Sequence, residues 1–375
     1  MFTASKSSIL DALRLVSQIV ERRNTIPILQ NVLIDLWGNS GKLTARVSDL
    51  DVEATVPFAA TVDTDFRGFT IPAHMLMDIV KKLPDGADVR VEATDADLSS
   101  VTIKSGCSRF RLSVLSPHDF PSLEGAELPF SVEIPAAALE RAITSVRFAI
   151  STEETRYYLN GIFFHTIEVG SDLKLRAVAT DGHRLARADI DAPSGSEGMP
   201  GIIIPRKTVG ELQKLVDNPE AVVTIEVSDA KIRLTIGSVV ITSKLIDGTF
   251  PDYQRVIPTS NDKEMRVDYQ SFTRAVDRVS TISSERGRAV KLALSDGQLT
   301  LTVNNPDSGS ATEEVAVGYD NDPLEIGFNA KYLLDITAQP SGDDAIFMLA
   351  DAGSPTLVRD LAGDDALYVL MPMRV

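Results

Sequence analysis

The segment AVATDGHRLARADI holds the residues best suited to chemistry, because it places an aspartate and a histidine two positions apart. Asp181 and His183 could form an acid/base pair. The structural alternative is a β-hairpin, in which Asp181-Gly182 is a turn that permits positive φ and Val178 and Leu185 fall in the flanking strands. No nucleophile motif accompanies the pair, so the enzymatic interpretation is the weaker of the two.

Two further patterns carry a catalytic serine and lysine in some hydrolases. Ser171/Lys174 and Ser228/Lys231 have the S-x-x-K spacing, but both lie in turns between strand-like runs and lack the partner motifs of that chemistry. The sequence GNSGKLT has the wrong spacing for a phosphate-binding P-loop. We therefore expect neither a catalytic role for these two serine and lysine pairs nor nucleotide hydrolysis.

Metal-binding patterns are incomplete as well. Neither H-E-x-x-H nor a paired cysteine spacing is present for zinc. Asp95 and Asp97 suggest a cation loop, yet the glycine and the closing glutamate of an EF-hand are missing, so a solvated turn is expected. We expect no metal ion and no cofactor.

Length and composition suit several ordinary domains. The 375 residues divide into three modules of about 125, a usual domain size. Cys107 is the single cysteine, which excludes an internal disulfide framework, and no apolar run approaches the roughly 20 residues that span a bilayer. MFTASKSSIL lacks the basic start and apolar block of a signal peptide. These features predict a cytoplasmic protein without a membrane segment.

The modules are visible as a threefold repeat. An extended segment leads into a helix near Phe2, Phe130 and Met265, and a second set of helices follows in FTIPAHMLMDIVKKL, IIIPRKTVGELQKLV and EIGFNAKYLLDITAQ. The linkers also repeat, with Phe120-Pro121 and Phe250-Pro251 about one module apart. A period of this length marks tandem domains. We expect domains at 1–127, 128–258 and 259–375.

Between the helices the chain alternates as half-buried strands do. KLTARVSDLDVEATVPF and QLTLTVNN show this pattern, and turns that contain glycine separate the runs. The predicted fold class is α+β, with antiparallel sheets and helices on one side of each sheet.

Basic residues concentrate in the six repeated helical segments. These segments, the first at 6–23, together carry +6, whereas the whole chain carries −16. In the first of them Ile9 and Leu13 fall on one face and Arg14 and Gln18 on the other. A phosphate backbone attracts lysine and arginine on the surface it meets, and distant acids are partly screened in salt. The alternative is that these residues are helix formers on solvated faces.

The C-terminus ends in ALYVLMPMRV, although chain ends are usually polar. One interpretation is a final strand that closes a sheet. The other is an apolar groove whose thioethers adapt to varied partner side chains. Both can hold together.

Four ordered motifs closely resemble one family over essentially the whole chain. RYYLNGIFF, ATDGHRLA, FPDYQRVIP and YVLMPMR are similar to the bacterial replicative sliding clamp, the β subunit of DNA polymerase III. The resemblance implies three tandem repeats of the DNA-clamp fold, which dimerise head to tail into a ring with helices inside and sheets outside. It implies a non-catalytic processivity subunit that encircles duplex DNA without reading its sequence. Expected partners are a second copy, the replicative polymerase, the clamp loader and other proteins with clamp-binding motifs.

The resemblance also implies site residues. A peptide groove between the second and third modules would comprise Leu159, Thr180, Gly182, His183, Arg184, Leu185, Pro251, Arg255, Val256, Val369, Leu370, Met371, Pro372 and Met373. DNA contacts would come from the basic residues Arg14, Arg22, Arg23, Lys81, Lys82, Arg141, Arg147, Lys207 and Lys214.

The subunit interface is expected to join the first module of one copy to the third of another. Arg109 and Arg111 could pair with acids such as Glu313 and Glu314. The chain departs from the family at Thr281-Ile282, where the family tends to have an apolar pair.

Helix dimensions support a dimer independently. Six helices about 10 Å wide enclose a hole of only about 10 Å, too narrow for a duplex, whereas twelve leave close to 30 Å.

Two alternatives to the clamp remain open from the residues alone. One is a DNA-binding scaffold of the same fold, which would bind linear and circular DNA alike. The other is an enzyme that uses Asp181 and His183.

Overall fold

The computed structural model describes residues 1–38, 40–93, 98–123, 125, 127–216, 218–283, 288–339, 342–360 and 365–375. Asp95 and Asp97, expected in a solvated turn, lie outside the described residues. The secondary structure repeats one order of strand, helix, strands, helix and three strands.

The first occurrence of this order runs through β1 (Phe2–Ser5), α1 (Lys6–Val16), β2 (Asn31–Leu36), β3 (Leu43–Ser48), β4 (Val52–Phe58), β5 (Thr61–Val62), β6 (Phe69–Pro72), α2 (Ala73–Lys82), β7 (Asp88–Ala93), β8 (Ser100–Ser105) and β9 (Ser108–Ser113).

The second occurrence runs through β10 (Phe130–Pro135), α3 (Ala136–Arg147), β11 (Gly161–Val169), β12 (Asp172–Thr180), β13 (Arg184–Asp191), β14 (Ile202–Pro205), α4 (Arg206–Leu215), β15 (Val222–Val227), β16 (Lys231–Ile236) and β17 (Val239–Lys244).

The third occurrence runs through β18 (Lys263–Asp268), α5 (Tyr269–Ser280), β19 (Ala289–Ser295), β20 (Gln298–Asn305), β21 (Gly309–Ala316), β22 (Leu324–Asn329), α6 (Ala330–Thr337), β23 (Asp344–Leu349), β24 (Thr356–Asp360) and β25 (Ala366–Leu370). The predicted threefold repeat and α+β class are confirmed.

Each first helix follows a strand directly, and the last strand residue caps it in two modules. The Ser5 hydroxyl accepts the backbone N–H of Ser8 at 3.2 Å, and the Asp268 carboxylate accepts that of Ser271 at 2.7 Å. Such caps satisfy N–H groups that a helix leaves unpaired at its start. The change from strand to helix is therefore specified in these two modules by a capping residue at the junction itself.

The first helix divides its faces as predicted but ends earlier. Ile9 and Leu13 are buried, while Arg14 and Gln18 are exposed. The expected helical segment at 6–23 was wrong beyond Val16, where α1 ends. The N–H of Ser17 makes the i→i−4 helical bond to the carbonyl of Leu13, and its hydroxyl donates to the same carbonyl, a side-chain bond that weakens a helix locally.

The chain forms two compact units. The first unit comprises 1–137 and 210–245, and contains a five-stranded sheet in the order β5-β1-β7-β8-β9 and an eight-stranded sheet in the order β10-β15-β16-β17-β4-β3-β2-β6. Its core cluster packs α1 and α2 against these strands through apolar residues such as Leu13, Val47 and Val80.

The second unit comprises 138–209 and 246–375. Its eight-stranded sheet has the order β14-β11-β12-β13-β25-β24-β23-β18, and its four-stranded sheet the order β21-β20-β19-β22. The pairings among the described strands are antiparallel, as the alternating sequence runs predicted.

Both eight-stranded sheets join strands from consecutive modules in the same way. In the first unit β4 pairs with β17, and in the second β13 pairs with β25. In each case the third strand after a module's first helix meets the last strand of the next module. The compact units follow these shared sheets, and the domain boundaries after residues 127 and 258 stay a prediction.

Among the described residues, no helix is both long enough and apolar enough to cross a membrane.

Candidate functional site

The hairpin between β12 and β13 is the centre of the candidate site. The Asp181 carboxylate accepts the backbone N–H groups of His183 at 2.9 Å and Arg184 at 3.0 Å, and the Thr180 hydroxyl accepts that of Gly182 at 3.1 Å. Gly182 has φ +87°, which a glycine adopts without strain. The predicted Asp-Gly hairpin is confirmed, and Asp181 organises its turn.

Arg184 anchors this hairpin from within the protein. Its side chain is 7 % exposed, and its guanidinium donates to Asp335 at 2.6 Å, to the carbonyl of Phe148 at 2.6 Å and to Asp181 at 3.1 Å. The same group lies over the Tyr332 ring, 4.3 Å from its centroid. A buried charge needs such partners. Arg184 therefore holds the hairpin in place and offers little surface to a ligand.

His183 is exposed and stacks on Tyr332, with ring centroids 6.4 Å apart. Burial raises the pKa of the Tyr332 hydroxyl, so this ring stays neutral. No hydrogen bond joins the His183 ring to the Asp181 carboxylate in the described part of the chain, and that carboxylate is already occupied by the turn. The geometry fits a flat surface for a ligand better than an acid/base pair.

The C-terminal segment forms the opposite wall. β25 pairs with β13, with Leu185 opposite Val369 and Arg184 opposite Leu370. The N–H of Met371 then donates to the carbonyl of His183 at 2.9 Å. Met371 itself is 42 % exposed. The predicted final strand is confirmed as β25, although it lies between β13 and β24 and not at the end of the sheet, and it leaves the following methionine at the surface. The apolar groove at this place stays a prediction.

The linker after β17 covers the floor of the site. Phe250 and Tyr253 are buried in one apolar cluster with Leu159, Leu185 and Val369. The linker also carries Pro251, Arg255 and Val256, which are exposed. The groove residues thus separate into a buried apolar floor and an exposed rim.

Tyr253 is a residue of this region that the sequence analysis did not single out, although it lies inside the motif FPDYQRVIP. Its hydroxyl lies 3.0 Å from Nε2 of His165, whose Nδ1 lies 2.9 Å from the carbonyl of Thr166. Because a carbonyl only accepts, Nδ1 carries the proton and Nε2 accepts from Tyr253. Burial lowers the pKa of His165, which keeps the ring neutral. Arg176, paired with Asp189 at 2.6 Å, donates to the Tyr253 hydroxyl at 3.4 Å.

The expected groove residues do lie together in the second unit. Exposed or half-buried are Thr180, Gly182, His183, Pro251, Arg255, Val256, Met371, Pro372 and Met373. Buried are Leu159, Arg184, Leu185, Val369 and Leu370. Leu370, at 0 % exposure, can support the groove but cannot be touched by a ligand without rearrangement.

The first unit repeats the hairpin but not the apolar surroundings. Asp49 accepts the N–H groups of Asp51 at 2.9 Å and Val52 at 2.7 Å, and the N–H of Lys244 donates to the carbonyl of Asp51 at 2.9 Å. These bonds match those of Asp181 and Met371. Lys244 and Asp51 form an exposed ion pair at 3.1 Å, so charge stands where the second unit has His183 and Met371.

An open cavity of about 850 Å³ lies on the sheet face beside this first hairpin. Arg46, Glu53, Arg233 and Thr242 are among the residues that line it. By position in the repeat, Glu53 and Thr242 correspond to Leu185 and Val369 of the second unit. Glu53 and Thr242 are buried polar side chains, so the first unit lacks the apolar cluster that contains Leu185 and Val369 in the second unit.

The basic residues expected at DNA are all exposed. They are Arg14, Arg22, Arg23, Lys81, Lys82, Arg141, Arg147, Lys207 and Lys214. Most lie on the helices, whereas Arg22 and Arg23 follow the end of α1. Arg14 forms an exposed i, i+3 pair with Asp11 at 3.5 Å, and Lys214 forms an i, i+3 pair at 2.8 Å with Glu211, which is buried. Both cations stay accessible at the surface.

The residues expected at the subunit interface occupy two sheet edges and the end of α5. Arg109 and Arg111 are exposed on β9, and Glu313 and Glu314 lie on β21. Arg278 binds Glu313 from α5, and this hydrogen bond lowers the pKa of the carboxyl. Thr281 and Ile282 follow that helix directly. Glu313 is therefore already paired within its own chain.

Repeated modules of antiparallel strands with two helices each, joined by shared sheets, define the DNA-clamp class of proteins. Three family models match consecutive parts of the chain: the DNA polymerase III beta subunit N-terminal domain at residues 1–124, its central domain at 133–252 and its C-terminal domain at 254–374. The chain belongs to the DNA polymerase III beta subunit family.

Individual relatives agree over their full length. The beta sliding clamp of Caulobacter vibrioides is 49% identical over 373 residues, which cover 100% of this chain and 99% of that protein. Among solved structures, a Bartonella birtlesii DnaN sliding clamp bound to griselimycin superposes with a TM-score of 0.95 at 53% identity, and Caulobacter crescentus pol III beta with 0.94 at 49%; each covers 100% of both chains.

These relationships decide between the three functions left open by the residues. The chain is a replicative sliding clamp, a homodimeric processivity subunit that encircles DNA and tethers the polymerase and other factors. It is not an enzyme, and the interpretation of Asp181 and His183 as an acid/base pair is wrong.

Proposed function

We propose that this clamp acts through three surfaces: basic helix residues that face the duplex, paired sheet edges that close the dimer, and an apolar groove in the second unit that receives partner peptides. The observation that carries the proposal is the repeated junction of β4 with β17 and β13 with β25. The same pairing rule predicts a partner for β21, the equivalent strand of the third module.

The third junction joins two copies. β21 stands in its module where β4 and β13 stand in theirs, and β9 stands where β17 and β25 do. Each is the last strand of its sheet, with an exposed backbone edge suited to strand addition. We therefore pair β21 of one copy with β9 of the other, antiparallel, and two such junctions close a ring.

The register of the internal junctions extends to this pair. Thr55 lies opposite Val240 and Arg187 opposite Leu367, which are equivalent positions in the repeat. The corresponding pair at the interface is Thr312 with Arg109 of the other copy. Glu314 is then a diagonal neighbour of Arg109, on the face away from the core, within reach of a long side chain.

The core face of the same junction is apolar apart from Glu313, which lies opposite Leu301 and binds Arg278. Phe110 and Leu112 stand opposite the buried Ile103 and Val101 in their own sheet, and Phe110 is 36 % exposed. Ala311, opposite buried Val303, shares that face on β21. Pairing the edges covers Phe110, an exposed apolar ring that the sequence analysis missed. Thr281 and Ile282 adjoin this face at the end of α5.

Topology makes weak DNA contacts sufficient. A ring cannot leave a closed duplex, so salt-screened contacts between phosphates and the nine basic residues need not read bases. Such contacts let the ring move along the helix. A cytoplasmic location is part of the proposal, because bacterial DNA is replicated there.

The groove receives an extended partner segment. Its floor of Leu159, Leu185 and Val369 is buried and supports the groove from beneath, and the exposed thioether of Met371 can adapt to different partner side chains. His183 on Tyr332 adds a flat face beside it. One apolar groove per chain gives two per ring.

Retention on DNA tests the proposed ring. The protein is loaded onto nicked circular DNA with the matching loader and ATP, and retention is measured before and after one restriction cut. We expect loss on linearisation and restored retention when the ends are blocked. Equal retention on both forms would indicate direct affinity, and would overturn topological linkage.

A further inference from the structure

The last residues of the chain are fixed at two points on opposite sides of Pro372. The N–H of Met371 donates to the carbonyl of His183, and the N–H of Met373 donates to the carbonyl of Gly327, each at 2.9 Å. Chain termini usually fray unless they are bound in this way. We call the segment Met371–Val375 the strap. It runs from the eight-stranded sheet of the second unit to β22 in the four-stranded sheet of the same unit.

β22 can accept the strap because it is an edge strand. Its sheet has the order β21-β20-β19-β22, and Gly327 pairs with Lys291 of β19 on the inner side. On the outer side Gly327 forms an isolated antiparallel bridge with Met373. The strap thus adds a single bridge to an otherwise exposed edge.

The strap lies so close to Gly327 that no side chain fits at this position. A Cβ built at Gly327 would stand 2.3 Å from Cγ1 of Val375 and 2.6 Å from the carbonyl oxygen of Met373. The second atom belongs to backbone and cannot rotate away. Gly327 is not among the glycines with positive φ, so its own backbone conformation does not require a glycine. Close approach of the strap is the remaining reason.

We propose that Gly327 is a positioning residue for the partner groove: by admitting the strap to the β22 edge, it holds Met371 and Pro372 in the groove wall before a partner arrives. This inference rests on the proposed function of the groove. A wall that is already ordered costs a ligand less conformational entropy on binding. Gly327 itself touches no ligand, and it acts through Met373 and Val375.

The test compares Gly327→Ala with Gly318→Ala. Gly318 also forms an isolated bridge in the same unit, with Arg266, but a Cβ there would lie 3.5 Å from its nearest neighbour, an ordinary contact. Strap release is read from the rate at which carboxypeptidase removes Val375 and Arg374, followed by intact mass spectrometry. Groove function is read from binding of a fluorescein-labelled peptide that carries the clamp-binding motif of the cognate polymerase.

We expect Gly327→Ala to speed trimming and to weaken peptide binding at least tenfold, while dimer mass stays unchanged. Gly318→Ala should change neither readout. Removing Val375 from Gly327→Ala relieves the contact with that side chain and should restore part of the affinity. Gly327→Ala should add no further loss in a chain that ends at Leu370.

Two results would overturn the inference in different ways. Fast trimming of Gly327→Ala with unchanged peptide affinity would separate the strap from the groove and leave the groove assignment intact. Full peptide affinity in the chain that ends at Leu370 would overturn the groove assignment as well. If Gly327→Ala does not fold, N-methylmethionine at position 373, introduced by semisynthesis, removes the same hydrogen bond without altering β22, and the same loss is expected.

Discussion

Lys244 and Met371 make the same backbone hydrogen bond in two different modules. The N–H of Lys244 donates to the carbonyl of Asp51 and that of Met371 to the carbonyl of His183, both at 2.9 Å. Around this shared bond the side chains differ: an exposed ion pair joins Lys244 to Asp51, whereas His183 stacks on Tyr332 beside an exposed Met371. One backbone frame thus carries a polar surface in one place and an apolar groove in the other.

This equivalence supplies a matched pair of variants. His183→Ala removes the ring that stacks on Tyr332 and should abolish partner-peptide binding, because the flat face of the groove is lost. Asp51→Ala alters the equivalent hairpin position in the first unit and should leave binding unchanged. Fluorescence polarisation with the labelled clamp-binding peptide measures both, and native mass spectrometry should show intact dimers throughout. Retained affinity in His183→Ala would exclude this residue from the groove.

The subunit interface predicts a charge-reversal effect with a specific rescue. Arg109→Glu, alone or with Arg111→Glu, should weaken the dimer because like charges then meet across β9 and β21. Adding Glu314→Arg should restore dimerisation, since Glu314 is the diagonal neighbour of Arg109. Glu313→Arg should not, because Glu313 binds Arg278 within its own chain. Analytical ultracentrifugation at submicromolar concentration measures each dimer, and an unchanged mass for Arg109→Glu would contradict this register.

Arg22 and Arg23 should contribute to DNA contact through charge alone. Both are exposed beyond the end of α1, so their removal costs no buried contact. For the double alanine variant we expect weaker DNA binding and a log–log salt slope that is shallower by about 0.9 for each phosphate that the variant no longer neutralises. Titrations at several salt concentrations test this. Exposed Arg255 lies on the groove linker, so Arg255→Ala is the control and should leave the slope unchanged.

Arg184 should dominate the stability of the groove hairpin. Its buried guanidinium binds Asp335, Asp181 and the carbonyl of Phe148, so Arg184→Ala leaves these acceptors unpaired. We expect a loss on the order of 3 kcal/mol in the free energy of unfolding. Urea unfolding measures it. Arg255→Ala, which removes an exposed ion pair with Asp252, should stay within about 1 kcal/mol of the parent protein.

His165 should make the linker that carries Tyr253 sensitive to acid. Burial lowers the pKa of His165, with Arg176 lowering it further and the Thr166 carbonyl and Asp189 raising it. Because the folded pKa lies below the unfolded value of about 6.5, the stability from the neutral ring is present above that value and is lost as pH falls through the folded pKa. Thermal unfolding from pH 8 to pH 5 should show this decline. His165→Gln, which does not titrate, should reduce it, and an identical pH profile would contradict the assignment.

Much of the fold was predictable because it depends on local patterns that repeat. The apolar spacing of α1 and the Asp-Gly turn each act within a few residues, and the structure has both. The end of α1 was mispredicted because the apolar pattern continues to Val20, whereas the helix itself ends at Val16.

The groove residues could be carried over from motifs, but their separate roles could not. Arg184 and His183 are adjacent in sequence, yet one is buried among acidic and aromatic partners and the other is exposed. Those partners, Asp335 and Tyr332, lie about 150 residues along the chain. No local pattern reports such distant neighbours.

The amino-acid sequence alone was enough for the threefold repeat, the helix and strand periods, the concentration of basic charge on the helices and the family. Which strands meet was settled by the folded chain: β4 with β17, β13 with β25, and the strap with Gly327 at β22. The difference comes from distance along the chain. Periodicity and capping are satisfied within one element, whereas an edge pairing or a missing Cβ has meaning only when a remote segment lies against it.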